Sequence, residues 1–250
     1  MRTARNITEV LEIMDEGIEK AHTDHDRRGY FLALYRAVTR RVAAGIEAGT
    51  YDDCERMDRF DTHFANRYFE ACAARDAGQP TTRAWRVALD AAGQPHLCIL
   101  QHLVLGMNAH INLDLAISAA AVCPGPTLPA LAHDFERIND VLIELLDEAQ
   151  AALGRLSPTL RGLDRVGGRA DEIIAGFSLK RARGEAWESA EWLAAPADQA
   201  AIIERLDRRA HTLGRLVVDP GGLANAVLRV VRMWEERDVR RGIEILAELR

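Results

Sequence analysis

Residues 97–122, LCILQHLVLGMNAHINLDLAISAAAV, constrain the fold more than any other stretch of this chain. The segment has helical character, is apolar on nearly every side and carries one formal charge, Asp114. A helix apolar all round is normally buried. Yet Gln101, His102, Asn108, His110, Asn112 and Asp114 are embedded in it. Burying a polar group without a partner costs on the order of 1–3 kcal/mol, and an unpaired charge costs more. These groups must therefore be answered by partner side chains, ordered water, a metal or a ligand, and function is expected here. The length would span a bilayer, but six polar side chains make that costly and the flanks lack basic anchors. The segment reads as the central helix of a soluble bundle, with no membrane partner.

Helical periodicity runs through almost the whole chain, and strand signals are nearly absent. Helices are expected over residues 7–22, from Asp26 to about Gly45, from Thr50 to Ala77, and from Thr81 or Thr82 to Gly93, the last carrying Trp85. The second carries an apolar stripe of Tyr30, Leu34, Val38 and Val42. CPGP at 123–126 breaks the chain after the central helix. Thr127, with Pro129 in the first turn, then opens a helix to about Leu153. The short connection predicts that it packs antiparallel to the central helix. Residues 154–169 read as a linker or surface loop, and helices follow near 170–194, 197–214, 220–235 and 238–249. The expected architecture is all-α: a single domain over 1–250, built as a bundle of about eight to ten helices around residues 97–122.

The net charge of −6, from 32 basic and 38 acidic residues interspersed along the chain, argues against a nucleic-acid surface. Cys54, Cys72, Cys98 and Cys123 are widely spaced with no CxxC, the pattern of reduced thiols in a cytoplasmic protein. The acidic, amphipathic start has no apolar signal region.

At about 100° per residue, His102, Gly106, His110 and Asp114 fall within one arc of the central helix. Gln101, Asn108 and Asn112 fall within a narrower arc on the opposite side. His110 and Asp114, four apart, can meet or share a ligand. They could bind a divalent metal, for which Zn²⁺ or Fe²⁺ suits imidazole and carboxylate ligation. They could form an acid/base pair in which Asp114 orients His110. They could equally be a buried structural network. Gly106 admits either a close helix crossing or a ligand. In the next helix, Asp134 and Asn139 could reach these stripes.

Other polar groups are weaker candidates. His63 and Arg67 share a face in FDTHFANRYFEA, where Asp61 is interleaved with Phe60 and Phe64. His133-Asp134 invites a metal-dependent phosphohydrolase reading, but two residues carry little information. The single ExxH at Glu19–His22 lacks the second motif a di-iron bundle needs. HTDHD at 22–26 reads as a capped turn.

QHLVLGMNAHINLDLAIS, with upstream DRFDTHFANRYFEA, downstream LAHDFERIN and the later RGEAW, resembles a family of uncharacterised bacterial proteins, common in actinobacteria and known as a domain of unknown function. The resemblance covers about residues 27–195, leaving 196–250 as a C-terminal helical extension that covers the core or forms a homo-oligomer contact. It implies an all-helical fold and lends no reaction. The positions it carries over are Gln101, Gly106, Asn108, His110, Asn112, Asp114, Asp134, Asn139, Arg183 and Trp187. It does not assign His102, His63 or His133, which weighs against a multi-histidine zinc site. The resulting expectation is a small-molecule enzyme with hydrolytic or proton-transfer chemistry. His110, Asp114 and Asp134 would be catalytic, and His110 and Asp114 would be the ligands if a metal binds. Gln101, Asn108, Asn112, Asn139, Arg183 and Trp187 would hold the substrate. The rival is a non-catalytic binding or scaffold protein whose polar network is structural.

Overall fold

The computed structural model describes residues 1–159, 179–195 and 198–249, and among these every regular element is helical. In chain order they are α1 (Ile7–Asp24), α2 (Arg28–Glu47), α3 (Cys54–Asp76), α4 (Arg83–Ala91), α5 (Ile99–Val122), α6 (Ala132–Leu156), α7 (Leu179–Ala194), α8 (Gln199–Val218), α9 (Gly222–Trp234) and α10 (Val239–Ala247). Most of the expected linker at 154–169 and the start of the helix expected near 170–194 lie outside the described residues.

Short polar side chains start several of these helices by accepting a bond from an otherwise unpaired N–H. Asn6 accepts from Glu9, Asp53 from Arg56, Thr82 from Trp85 and Asp238 from Arg240. Of the starts that differ from expectation, two have a plain cause. α3 begins at Cys54, because Asp53 rather than Thr50 offers the capping oxygen. α6 begins at Ala132, because 125–131 wind as a 3₁₀ turn around Pro129. There the Thr127 hydroxyl donates to Pro124 O instead of capping.

α5 is the axis of the bundle. It is the one described helix long and apolar enough to cross a membrane, and 83% of its most apolar window is buried inside the protein. Its first half packs against α2, α4 and α8, and its second half against α3 and α7. Its N-terminus is closed by the C-terminal region. The buried Glu235 carboxylate accepts from Ile99 N at 2.9 Å and from the Ser157 hydroxyl. An anion suits the positive end of the helix.

α6 does not pair with α5 as its short connection suggested. It packs chiefly against α2 and α10. The 3₁₀ turn redirects the chain, and a cavity lined by α2, α5 and α6 occupies the space a helix pair would have closed.

Candidate functional site

At the middle of α5 the helix widens. Residues His110–Asp114 form one π turn, and Leu115 N donates to His110 O, five residues back. Such turns recur at functional sites. Here it presents His110 and Asp114, both buried, toward α2, α3 and α4. His110 Nδ1 lies 3.2 Å from Asp114 Oδ2, so Nδ1–H donates and Nε2 carries the lone pair of the neutral ring. Asp114 also accepts from Trp85 Nε1 at 2.7 Å and from Arg67 Nε at 3.2 Å. Burial holds the His110 pKa below the ordinary histidine value, against the opposing pull of Asp114. Arg67 answers part of the Asp114 charge, which helps keep the imidazole neutral.

Aromatic rings enclose the imidazole. Phe64 stacks on it at 3.5 Å between centroids, and Tyr35 meets it edge-on at 4.6 Å. Its Nε2 is buried and has no hydrogen-bond partner among the described residues. Nearby is a cavity of about 200 Å³, and His110 forms part of its wall. That wall is almost wholly apolar, built from Leu34, Val38 and Val42 of α2, Leu103 and Met107 of α5, and Ile138 and Leu142 of α6 among others. The exposed Leu146 and Gln150 also line it and mark where it meets solvent.

Three further polar side chains interrupt this wall. Asp61, from α3, is buried; its Oδ2 has no hydrogen-bond partner among the described residues, and desolvation, with a smaller push from Asp58, raises its pKa to about 7. The Tyr35 hydroxyl, from α2, is buried without a hydrogen bond of normal geometry. Its pKa is well above the ordinary tyrosine value through burial and then through the Asp61 and Asp114 charges, with Thr39 opposing. Arg183, from α7, is the third.

A family model described as "Family of unknown function (DUF5995)" matches residues 7–220. The chain belongs to that family. No curated protein and no solved structure matches it. The DUF5995 match takes in α1 through α8 and every cavity-lining residue named above. It is wider than the 27–195 span of the resemblance and ends before α9.

In this DUF5995 member the opposite stripe of α5 has a different task. Asn108 Nδ2 donates to Ala210 O at 2.7 Å, and Asn112 Nδ2 donates to Asn108 Oδ1 at 3.0 Å. Gln101 bonds Cys98 N and Val217 O. All three tie α5 to itself or to α8 and do not line the cavity. Asp134 is not brought to His110 either. Fully buried, it accepts from Asp52 N, Asp53 N and Arg56, closing the start of α3. Asn139 accepts from Arg183 Nε at 2.7 Å, and Trp187 packs on Phe135 and donates to Glu191. His63 bonds Ser118, His133 pairs with Asp52 at the surface, and His102 is buried against Tyr30 with its pKa depressed by burial to about 3. Metal ligation by His110 and Asp114 finds no third donor: no group of three or more His, Cys, Asp or Glu side chains suited to a metal occurs among the described residues. The Asp114 oxygens already accept three bonds, and His110 turns its Nδ1 toward Asp114.

The partners that complete the dyad, Arg67 and Trp85, come from other helices, and no local spacing connects them to Asp114. Asp61 did leave a signal. It falls on the stripe Met57, Asp61, Phe64, Tyr68 and Cys72, where every other side chain is apolar or aromatic. A carboxylate at a core position of a helical repeat is the kind of exception that marks a site. Gly106 proves to be a close crossing: a Cβ there would stand 2.3 Å from Phe31 Cγ. Gly106→Ala should therefore destabilise the protein by about 1–2 kcal/mol, since overpacking outweighs the helix-propensity gain. Urea denaturation checks this, and an equal or higher midpoint would mean that Phe31 can yield.

Proposed function

We propose that the protein is a small-molecule enzyme that moves protons on an apolar, carbonyl-bearing substrate held in the cavity. One observation carries the reading: His110 Nε2 and Asp61 Oδ2, without a partner among the described residues, and the Tyr35 hydroxyl, with at most a weak contact to Thr39, belong to residues lining the same apolar cavity. Each costs the fold free energy that a packed side chain of similar shape would not. Such costs are retained where a ligand supplies the missing partner.

The chemistry follows from the protonation states. His110, neutral and oriented by Asp114, offers a lone pair at Nε2 and is the base. Asp61, with its pKa near 7, is protonated in much of the population at neutrality and can donate to a carbonyl oxygen. The Tyr35 hydroxyl is a second donor. Removing a proton from the carbon beside the carbonyl of an unsaturated ketone would form a conjugated enol: His110 takes the carbon proton and Asp61 gives one to oxygen; His110 then returns its proton to another carbon while Asp61 takes back the hydroxyl proton, which completes an isomerisation and restores both groups.

The test is exchange in D₂O. A panel of apolar ketones is incubated with the protein and followed by NMR for deuterium uptake beside the carbonyl. Exchange should fall in acid as His110 gains a proton and fall again above pH about 7 as Asp61 loses one. His110→Ala and Asp61→Asn should each lower the rate by about 100-fold or more. Ketones that bind and raise the melting temperature without exchanging would instead support a binding protein. The near-complete enclosure of the His110 ring favours that second reading.

A further inference from the structure

We infer that the cavity takes an apolar molecule ending in a single carboxylate, and that Arg183 is the group that receives it. The inference rests on the reading of the cavity as a ligand site and specifies the ligand's charged end.

Arg183 lines the cavity and is only 4% exposed, yet its contacts among the described residues include no carboxylate. Three interactions hold its guanidinium. Nε donates to Asn139 Oδ1, Nη2 donates to Phe135 O, and the plane lies over the Phe135 ring at 4.3 Å. All three partners are neutral; the Glu136 carboxylate acts on the guanidinium only at longer range and accepts from Asn139 instead. Nη1 donates to no group of the described residues. Burial lowers the Arg183 pKa to about 10, which leaves the side chain cationic at neutrality. Elsewhere among the described residues buried carboxylates do meet an arginine: Asp134 meets Arg56, Asp114 meets Arg67 and Glu235 meets Arg232.

A buried cation held by neutral partners, with no carboxylate of the described residues in contact, is a receptor for one. Its fixed orientation on Asn139 and Phe135 means that little ordering remains to be done on binding. A monoanion matches the single charge. A phosphate dianion would leave one charge uncompensated in an apolar cavity. Asp61 does not oppose such a ligand below its pKa near 7, because its carboxyl is then neutral. The leucine, isoleucine and valine wall accounts for the remainder of the molecule, an unbranched or cyclic hydrocarbon portion.

Calorimetry with decanoate and with decanol on the full chain separates the charge from the hydrocarbon. Decanoate should bind roughly tenfold or more tightly than decanol. Arg183→Met should abolish that difference and leave decanol binding unchanged, and Arg183→Lys should restore part of it. Equal binding of the two probes to the wild type, or equal loss of both in Arg183→Met, would overturn the role given to Arg183 while the cavity reading stands. Failure of both probes to bind would remove the cavity reading as well. Should Arg183→Met not fold, carboxyl-labelled decanoate on the wild type still decides the matter by NMR. Bound beside Arg183 it ionises at lower pH than free decanoate, whereas a rise on binding would mean that the carboxyl sits in an apolar pocket without its cation.

Discussion

Asp114→Ala is expected to destabilise the folded protein by roughly 3–5 kcal/mol, a drop of about 10 °C or more in melting temperature. The carboxylate is fully buried and accepts from His110, Trp85 and Arg67 at once. Removing it leaves an indole N–H and an imidazole N–H without an acceptor, and leaves Arg67 half withdrawn from water without its anion. Asp114→Asn should cost less, because an amide oxygen can still accept from Trp85 or His110. Thermal and urea denaturation of the two variants measure this. A change below about 0.5 kcal/mol for the alanine variant would place the network in solvent. The expected size does not depend on any catalytic role, since it follows from burial and three lost bonds.

Asp61→Asn should act in the opposite direction and stabilise the protein at neutral pH. Desolvation raises the Asp61 pKa from 3.8 to about 7 in the folded state. The folded protein therefore binds a proton that the unfolded chain has released across that interval. The Asp61 contribution to stability is fully present below pH 3.8, is lost as pH rises toward 7, and changes little beyond. Integrated over the interval the loss is at most about 4 kcal/mol. An asparagine side chain stays neutral throughout, so the difference between variant and wild type should grow with pH. It should rise from near zero at about pH 4 to on the order of 1–3 kcal/mol in favour of the variant at about pH 8. Denaturation midpoints at the two pH values give the answer directly. A less stable variant at the higher pH would mean that the carboxylate has a partner in the folded state. A gain in stability together with a loss of exchange is the pattern of a residue kept for function at the expense of the fold.

The two stripes read from the sequence of α5 do face different neighbours. His110 and Asp114 turn toward α2, α3 and α4, while Gln101, Asn108 and Asn112 turn toward α8. The π turn at His110–Asp114 was not legible, because the extra residue per turn leaves no mark in composition. Nor was the fate of Asp134, whose carboxylate is taken by the start of α3, far earlier in the chain. Asp61 was legible as a core position on an aromatic face, but its lack of a partner was not.

Helix periodicity sets the angle of each side chain about its own axis, and this is why the all-α class, the burial of α5 and the contact between His110 and Asp114 follow from residue order alone. Such relations span one turn of helix, within the reach of local geometry. The meeting of Arg67 and Trp85 at Asp114, the stand-off of α6 from α5, and the gathering of His110, Asp61, Tyr35 and Arg183 around one cavity join residues far apart in the chain. They depend on how helix faces pack against one another, which the angle about a single axis leaves open. Residue order thus located the polar helix, and packing determined which of its groups are satisfied and which remain open to a ligand.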